Sequence, residues 1–241
     1  MNAFATREIR IDADGARLTA DLVVPPAARG IVLFAHGSGS SRKSSRNRAV
    51  ARVLGTAGFA TVLLDLLTPE EDAREEAGAM LRFDVDLLAS RLCAAIDDVV
   101  RGPETRGLAL GIFGASTGAA AALIAAARRP EFVRAVVSRG GRPDLADHAL
   151  ERVRCPTRLI VGGADDVVIG LNRIALRRMA CAKDLVIVPG ATHLFEERGA
   201  LEEVARHATE WFEQHLRART HASAQAETEN GPGLPRRGRQ E

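Results

Sequence analysis

Short apolar runs alternate with helical segments along most of this 241-residue chain. The runs read GIVLFAHG, FATVLLD, LALGIF, FVRAVVS, TRLIVGG and KDLVIVPG. Uninterrupted apolar runs of this length are typical of strands that are buried on both faces of a parallel sheet. The intervening pattern favours helices over residues 46–57, 80–100, 145–152, 171–180 and 201–216, with a loop or a short solvated helix over 69–77. A further helix follows the run LALGIF and the segment after it, and ends at Pro130. The alternation predicts an α/β fold, in which helices cover both faces of a mostly parallel sheet.

An antiparallel hairpin is predicted before this alternation begins. The segments REIRID and RLTADLVV flank Asp14-Gly15, a dipeptide typical of tight turns, and the second segment alternates at the period of a strand. At the other end, residues after 218 lose apolar periodicity and become rich in polar residues, Gly and Pro. The sequence therefore predicts one domain over residues 1–218 and a disordered tail over residues 219–241.

Composition excludes several classes of protein. The chain is 46% hydrophobic and 27% charged, with a net charge of +2, so no excess of charge suggests nucleic acid or a membrane surface as a partner. Charged residues interrupt the N-terminal segment MNAFATREIRID too early for a signal peptide. Three widely spaced cysteines (Cys93, Cys155 and Cys181) favour buried thiols in a reducing compartment over disulfides or a zinc site. We expect a cytoplasmic protein that binds a small molecule and needs no metal or cofactor; no pattern indicates its oligomeric state.

Polar residues gather where the predicted strands end. Ligands of open parallel sheets bind beyond the carboxyl ends of the strands, so these residues are the candidates for a site. The segments are 36–39 (HGSG), Asp65, 114–118 (GASTG), 138–140 (SRG), 163–166 (GADD) and 190–193 (GATH). A serine, an acidic pair and a histidine are thus predicted at one edge of the sheet.

The segment GASTG around Ser116 matches G-x-S-x-G, the nucleophile elbow. Its glycines leave space where a Cβ atom would collide with neighbouring backbone, so the serine can occupy a strained turn that exposes its hydroxyl. The predicted helix after Ser116 presents free N–H groups that favour developing negative charge. The structural alternative is a helix-capping serine between two packing glycines.

A serine hydroxyl needs a neighbouring base to react at neutral pH. His193 follows the last apolar run, and Asp165 and Asp166 follow the run before it. The chain order serine, aspartate, histidine is the order that this architecture requires. His193 is therefore the predicted base, and either aspartate can orient its ring.

Four further residues are candidates for substrate contacts. The backbone N–H groups of Ser38, in the loop after the first parallel strand, and of Thr117, after the nucleophile, are predicted to form an oxyanion hole. His36 precedes the serine in the chain, so we expect it mainly to shape this loop, with a substrate contact as the second role. Arg139 matches a carboxylate or phosphate in geometry, although a structural ion pair explains it equally well. Basic residues near the oxyanion loop could bind the same anionic groups, but the sequence favours a solvated helix start for them. These residues are Arg42, Lys43, Arg46 and Arg48.

Taken in order, the segments FAHGSGSS, GIFGASTGAA, LIVGGADDVV and VPGATHLFEE resemble the α/β-hydrolase superfamily, and within it the dienelactone-hydrolase-like branch that has no cap. The resemblance covers residues 8–216. It implies Ser116 as nucleophile and His193 as base. The pattern G-x-D-x-x-V fits residues 163–168 and selects Asp165 as the acid, with Asp166 as the fallback. Dienelactone hydrolases proper use a cysteine nucleophile, so the serine here favours an ester or related acyl substrate.

The stretch between Ser138 and Thr157 holds one helix and has no room for a lid domain. The prediction is a serine carboxylesterase that forms an acyl-enzyme with a small substrate. A thioesterase, lactonase or peptidase shares this skeleton, and a non-catalytic binding module on the same fold stays open. A dinucleotide-binding domain is disfavoured because the fingerprint G-x-G-x-x-G is absent.

Overall fold

The computed structural model describes residues 4–13, 15–76 and 80–216. Its strands are β1 (Arg7–Ala13), β2 (Ala16–Val23), β3 (Ile31–Ala35), β4 (Ala60–Leu64), β5 (Leu110–Ala115), β6 (Val133–Arg139), β7 (Thr157–Gly162) and β8 (Lys183–Val188). In the described residues they form one sheet in the order β1-β2-β4-β3-β5-β6-β7-β8. β2 pairs antiparallel with β1 and β4, and the remaining pairs are parallel. The mostly parallel sheet with an N-terminal hairpin is confirmed.

Helices cover both faces of this sheet. They are α1 (Ser45–Thr56), α2 (Pro69–Glu76), α3 (Val85–Arg101), α4 (Thr117–Arg128), α5 (Asp166–Arg178) and α6 (Ala200–His215), with 3-10 helices at Leu81–Phe83 and Pro143–Arg152. Each face of the sheet packs against its own hydrophobic core, and successive residues of β3 contribute to the two cores in turn. Leu33 packs on the side of α3 and α4, and Phe34 packs on the side of α1 and α6. The buried runs of the sequence are therefore apolar because both faces of the sheet are covered.

Three predicted helix boundaries are wrong. The helix predicted from residue 80 begins at Val85, because the Asp84 side chain accepts the N–H of Leu87 at 2.9 Å and caps it. The helix predicted from residue 171 begins at Asp166, directly after the candidate acid. The stretch predicted as a helix from residue 145 is a 3-10 helix from Pro143, broken at Asp147 by a φ of 37°.

The connection between β6 and β7 contains only the 3-10 helix Pro143–Arg152, so within the described ranges the fold carries no lid domain, as predicted. None of the described helices is long and apolar enough to cross a membrane. The predicted tail over residues 219–241 and Asp14 of the hairpin turn lie outside the described residues. A single domain over residues 1–218 stays a prediction.

Candidate active site

Ser116 occupies a strained turn between β5 and α4. Its φ of 51° and ψ of −122° are values that residues with a Cβ atom rarely adopt. The flanking glycines permit the turn: a Cβ atom at Gly114 would lie 2.5 Å from Cα of Ala119, and one at Gly118 would lie 2.4 Å from the carbonyl oxygens of Ala35 and His36. The GASTG segment therefore places α4 closely against β3 and holds the half-buried serine at the start of the helix.

His193 and Asp165 are hydrogen-bonded, with Nδ1 of the ring 2.7 Å from Oδ2 of the carboxylate. Asp165 lies at the start of α5 and its side chain is 16% exposed, whereas Asp166 is exposed. The loops that carry the pair are joined, since the N–H of Ala164 donates to the carbonyl of Ala191 at 2.9 Å. A carboxylate that accepts the Nδ1 proton leaves Nε2 free to act as a base.

The end of β6 brings this pair to the serine. The N–H of Ser116 donates to the carbonyl of Arg139 at 3.2 Å, and a Cβ atom at the next residue, Gly140, would lie 3.6 Å from Cε1 of His193. In the described part of the chain no hydrogen bond joins Oγ of Ser116 to Nε2 of His193. Such contacts are often long without substrate and tighten when it binds. The structure places all three side chains at one edge and connects two of them.

The loop after β3 covers the serine. A Cβ atom at Gly37 would lie 2.8 Å from Cβ of Ser116, so only a glycine fits there. The next residue, Ser38, donates its backbone N–H to Oγ1 of Thr117 at 2.9 Å. The two residues predicted for the oxyanion hole therefore meet directly, and in this structure the Ser38 donor is already occupied by the Thr117 hydroxyl.

His36 makes only backbone contacts. Its Nδ1 lies 3.0 Å from the carbonyl of Gly37, and its Nε2 accepts the N–H of Leu66 at 3.0 Å. The side chain is buried, and burial lowers the pKa of the imidazole. Both ring nitrogens are thus in use, which fits the loop-shaping role of His36; a substrate contact stays a prediction.

The prediction of a solvated helix start holds for Lys43 and Arg48, which are exposed, but is wrong for Arg42. Arg42 is largely buried and bonds to three carboxylates: its backbone N–H donates to Asp65 at 2.7 Å, its Nε to Asp21 at 3.1 Å and its Nη2 to Glu8 at 2.9 Å. These acids lie in or just after β1, β2 and β4, which are distant in the sequence. Sequence reasoning missed this network, which anchors the loop beside Ser116, because only the order of the strands assembles it.

Arg139 is buried at the end of β6. In the described residues it forms no ion pair, so the structural salt bridge considered from the sequence is wrong for this part of the chain. The cysteines offer no activated nucleophile, because burial raises the pKa of the Cys93 thiol and raises that of Cys155 to about 12.

Comparison with known proteins agrees with this architecture. The sequence profile of the dienelactone hydrolase family matches residues 18–218. Two curated proteins from two strains of Mycobacterium tuberculosis, provisionally named phosphoribosyl transferases, are 56% identical over 209 residues, which is 87% of this chain. The match covers 46% of those proteins, so the chain spans about half the length of the curated relatives.

Solved structures extend the comparison. Est1E from Butyrivibrio proteoclasticus shares the fold, with a TM-score of 0.71 and 16% identity over 86% of this chain and 98% of that one. A crystal structure of a dienelactone hydrolase from Anabaena variabilis has a TM-score of 0.87 and 56% identity, over 89% of this chain and 99% of that one. The profile match over most of the sequence, supported by this identity, shows that the chain belongs to the dienelactone hydrolase family and has the α/β-hydrolase fold.

Proposed function

We propose that the protein is a serine carboxylesterase in which Ser116, His193 and Asp165 act as nucleophile, base and orienting acid. The observation that carries this proposal is the 2.7 Å contact between Nδ1 of His193 and Oδ2 of Asp165. A second observation supports it: packing alone does not explain the strained turn at Ser116. An aspartate that orients a histidine at the same edge of the sheet as a serine in a strained turn is an arrangement suited to acyl transfer.

The proposed reaction has two halves. Oγ of Ser116 attacks the ester carbonyl while its proton passes to Nε2 of His193, and the carbonyl oxygen becomes an oxyanion. The carbon–oxygen bond to the alcohol then breaks, and His193 returns the proton to the departing alcohol. Water, deprotonated by His193, attacks the acyl-enzyme, and the acid leaves as the Ser116 hydroxyl is restored.

The oxyanion would be held by the backbone N–H groups of Ser38 and Thr117 at the start of α4. Because the Ser38 N–H donates to Oγ1 of Thr117, the hydroxyl must yield or share this donor as charge develops on the substrate. An anionic oxygen is the stronger acceptor, so the exchange is favourable in the transition state and not in the ground state.

An ester is the substrate that we propose, since a serine nucleophile in an open site suits small acyl compounds. Thioesters, lactones and peptides would use the same three residues. The curated relatives named as phosphoribosyl transferases are about twice as long as the matched region, and we propose no phosphoribosyl transfer for this chain.

A fluorophosphonate probe tests the nucleophile, and turnover of 4-nitrophenyl acetate tests the activity. We expect the wild-type protein to be labelled and active, and Ser116→Ala to lose labelling and several orders of magnitude of turnover. Ser138→Ala removes a buried hydroxyl from the neighbouring strand β6 and is the matched control, which should behave as wild type. Labelling of Ser116→Ala at the wild-type level would refute the proposal.

A further inference from the structure

Arg139 lies on the strand next to the candidate nucleophile, and its guanidinium has no hydrogen-bond acceptor among the described residues. Arg139 ends β6 in register with Ala115, and its carbonyl oxygen accepts the N–H of Ser116. The residue is 8% exposed, and its Nε and Nη1 atoms are buried without a hydrogen-bond acceptor. Three donors of the buried cation are thus unsatisfied, namely the Nε–H and the two N–H bonds of Nη1.

The neighbours of this side chain add no negative charge. The guanidinium lies over the ring of Phe195, 5.9 Å from its centre, in the loop that also carries His193. A second arginine, Arg46 at the start of α1, is close enough for its charge to act on Arg139. Arg46 donates to the exposed carboxylate of Glu196 at 3.0 Å, yet its own Nε is buried without an acceptor.

Two guanidinium groups with unused donors therefore lie near one another in this described part of the chain. Burial, and then the charge of Arg46, lower the pKa of Arg139 to about 10, so Arg139 is protonated at neutral pH. Buried charges in proteins are normally paired. Arg46 has a surface partner in Glu196, but Arg139 has none among the described residues, so its buried charge is unfavourable until an anion joins it. Planar guanidinium groups fit carboxylate and phosphate oxygens in particular.

We propose that Arg139 and Arg46 form an anion subsite that adjoins Ser116, so that the substrate of this enzyme is an acyl compound with a carboxylate or phosphate group close to the reacting bond. This inference rests on the proposed function, because it names the class of substrate for the same site. The hydrogen bond between the Ser116 N–H and the Arg139 carbonyl places the two residues side by side. An arginine side chain reaches only a few bonds from its backbone, so the anionic group would have to lie close to the carbonyl that Ser116 attacks.

A pair of esters with the same leaving group tests the subsite. 4-Nitrophenyl hemisuccinate carries a carboxylate on its acyl part, and 4-nitrophenyl acetate is its neutral counterpart. We expect the wild-type protein to prefer the hemisuccinate in kcat/KM by tenfold or more. Arg139→Gln should abolish this preference while turnover of the acetate stays within about threefold of wild type, and Arg46→Gln should reduce the preference in part.

Arg142→Gln is the matched control. Arg142 lies three residues further on, but its guanidinium is already paired with Asp144, through contacts of 2.9 and 2.7 Å. This variant should keep the preference for the hemisuccinate. An equal loss with both esters in Arg139→Gln, or an unchanged ratio in both subsite variants, would overturn the proposal.

Anion binding gives a readout that does not depend on catalysis. Inorganic phosphate or succinate should raise the Tm of wild type and of Ser116→Ala but not that of Arg139→Gln, and whichever anion acts at lower concentration identifies the preferred group. Without anions, Arg139→Gln should melt no lower than wild type, because it removes an unpaired buried charge; a clearly lower Tm would mark a structural role and overturn the proposal. If no ester is turned over but the Arg139-dependent rise in Tm persists, the esterase proposal fails and the anion subsite stands.

Discussion

The backbone N–H of Ser38 lies 2.9 Å from Oγ1 of Thr117, although 79 positions of sequence separate the two residues. The contact joins the loop after β3 to the first residue of α4, directly over Ser116. Gly39, the next residue of the loop, has a φ of 70°, a conformation that suits glycine. The Thr117 hydroxyl thus accepts the hydrogen bond that fixes the position of the Ser38 N–H.

Removing the Thr117 hydroxyl should slow the reaction. Thr117→Val keeps the shape and the backbone N–H but removes the acceptor for Ser38, so we expect kcat for 4-nitrophenyl acetate to fall about five- to tenfold, the equivalent of one hydrogen bond of about 1 kcal/mol. Thr117→Ser keeps the hydroxyl and should stay near wild type. A Thr117→Val protein that is faster than wild type would show instead that the hydroxyl competes with the substrate oxygen.

The acid of the proposed triad can be assigned by paired variants. Asp165→Asn loses the carboxylate that accepts from Nδ1 of His193, and the wrong ring tautomer should lower kcat by about 10³- to 10⁴-fold. Asp166→Asn changes an exposed carboxylate at the first position of α5 and should alter kcat by no more than about threefold. Equal losses in the two variants would contradict the assignment of Asp165.

The glycines of the nucleophile turn should not tolerate a side chain. Gly118→Ala places a Cβ atom 2.4 Å from two backbone oxygens of β3 and the loop after it, which cannot move without displacing the strand, so we expect destabilisation of about 3 kcal/mol or more. Gly170→Ala, where nothing lies within 4 Å on the exposed face of α5, should instead stabilise by up to about 1 kcal/mol. Urea unfolding of both variants measures the contrast. A Gly118→Ala protein of wild-type stability would show that the turn is looser than described.

His36 should make the stability of the fold depend on pH. Burial lowers its pKa in the folded state below the ordinary value of 6.5, so the unfolded chain binds more protons as the solution becomes acidic. Its contribution is therefore present above pH 6.5 and is lost as the pH falls from there through the folded-state pKa. We expect the decrease in Tm between pH 7 and pH 5 to be smaller in His36→Gln, which retains an acceptor for the N–H of Leu66.

The exposed histidine His148 supplies the control for this measurement. His148→Gln should show the same decrease in Tm as wild type, because the side chain is 84% exposed and its 3.1 Å contact with Asp147 is a surface ion pair, which contributes little. Identical pH profiles for His36→Gln and wild type would mean that another group governs acid stability.

Local chemistry determined the elements of this fold and the types of its candidate site residues. Continuous apolar runs predict buried strands, because the side chains on both faces of such a strand are covered by helices. Gly114 and Gly118 predict the turn at Ser116, because a Cβ atom has no space at either position. The ends of these strands also predicted which residues share one edge. Helix boundaries were less predictable, since the Asp84 cap that delays α3 depends on one side chain and its backbone partner.

Only the tertiary structure decided how those residues are partnered. From the sequence alone either Asp165 or Asp166 could partner His193, and only the family resemblance favoured Asp165. In the structure the loops after β7 and β8 meet, and the hydrogen bond to His193 is made by Asp165. The sequence also left open whether Arg42 and Arg139 are paired, and among the described residues the order of the strands gives carboxylates to Arg42 and none to Arg139. Charge pairing depends on distance in space, which strand order sets and a linear sequence does not show.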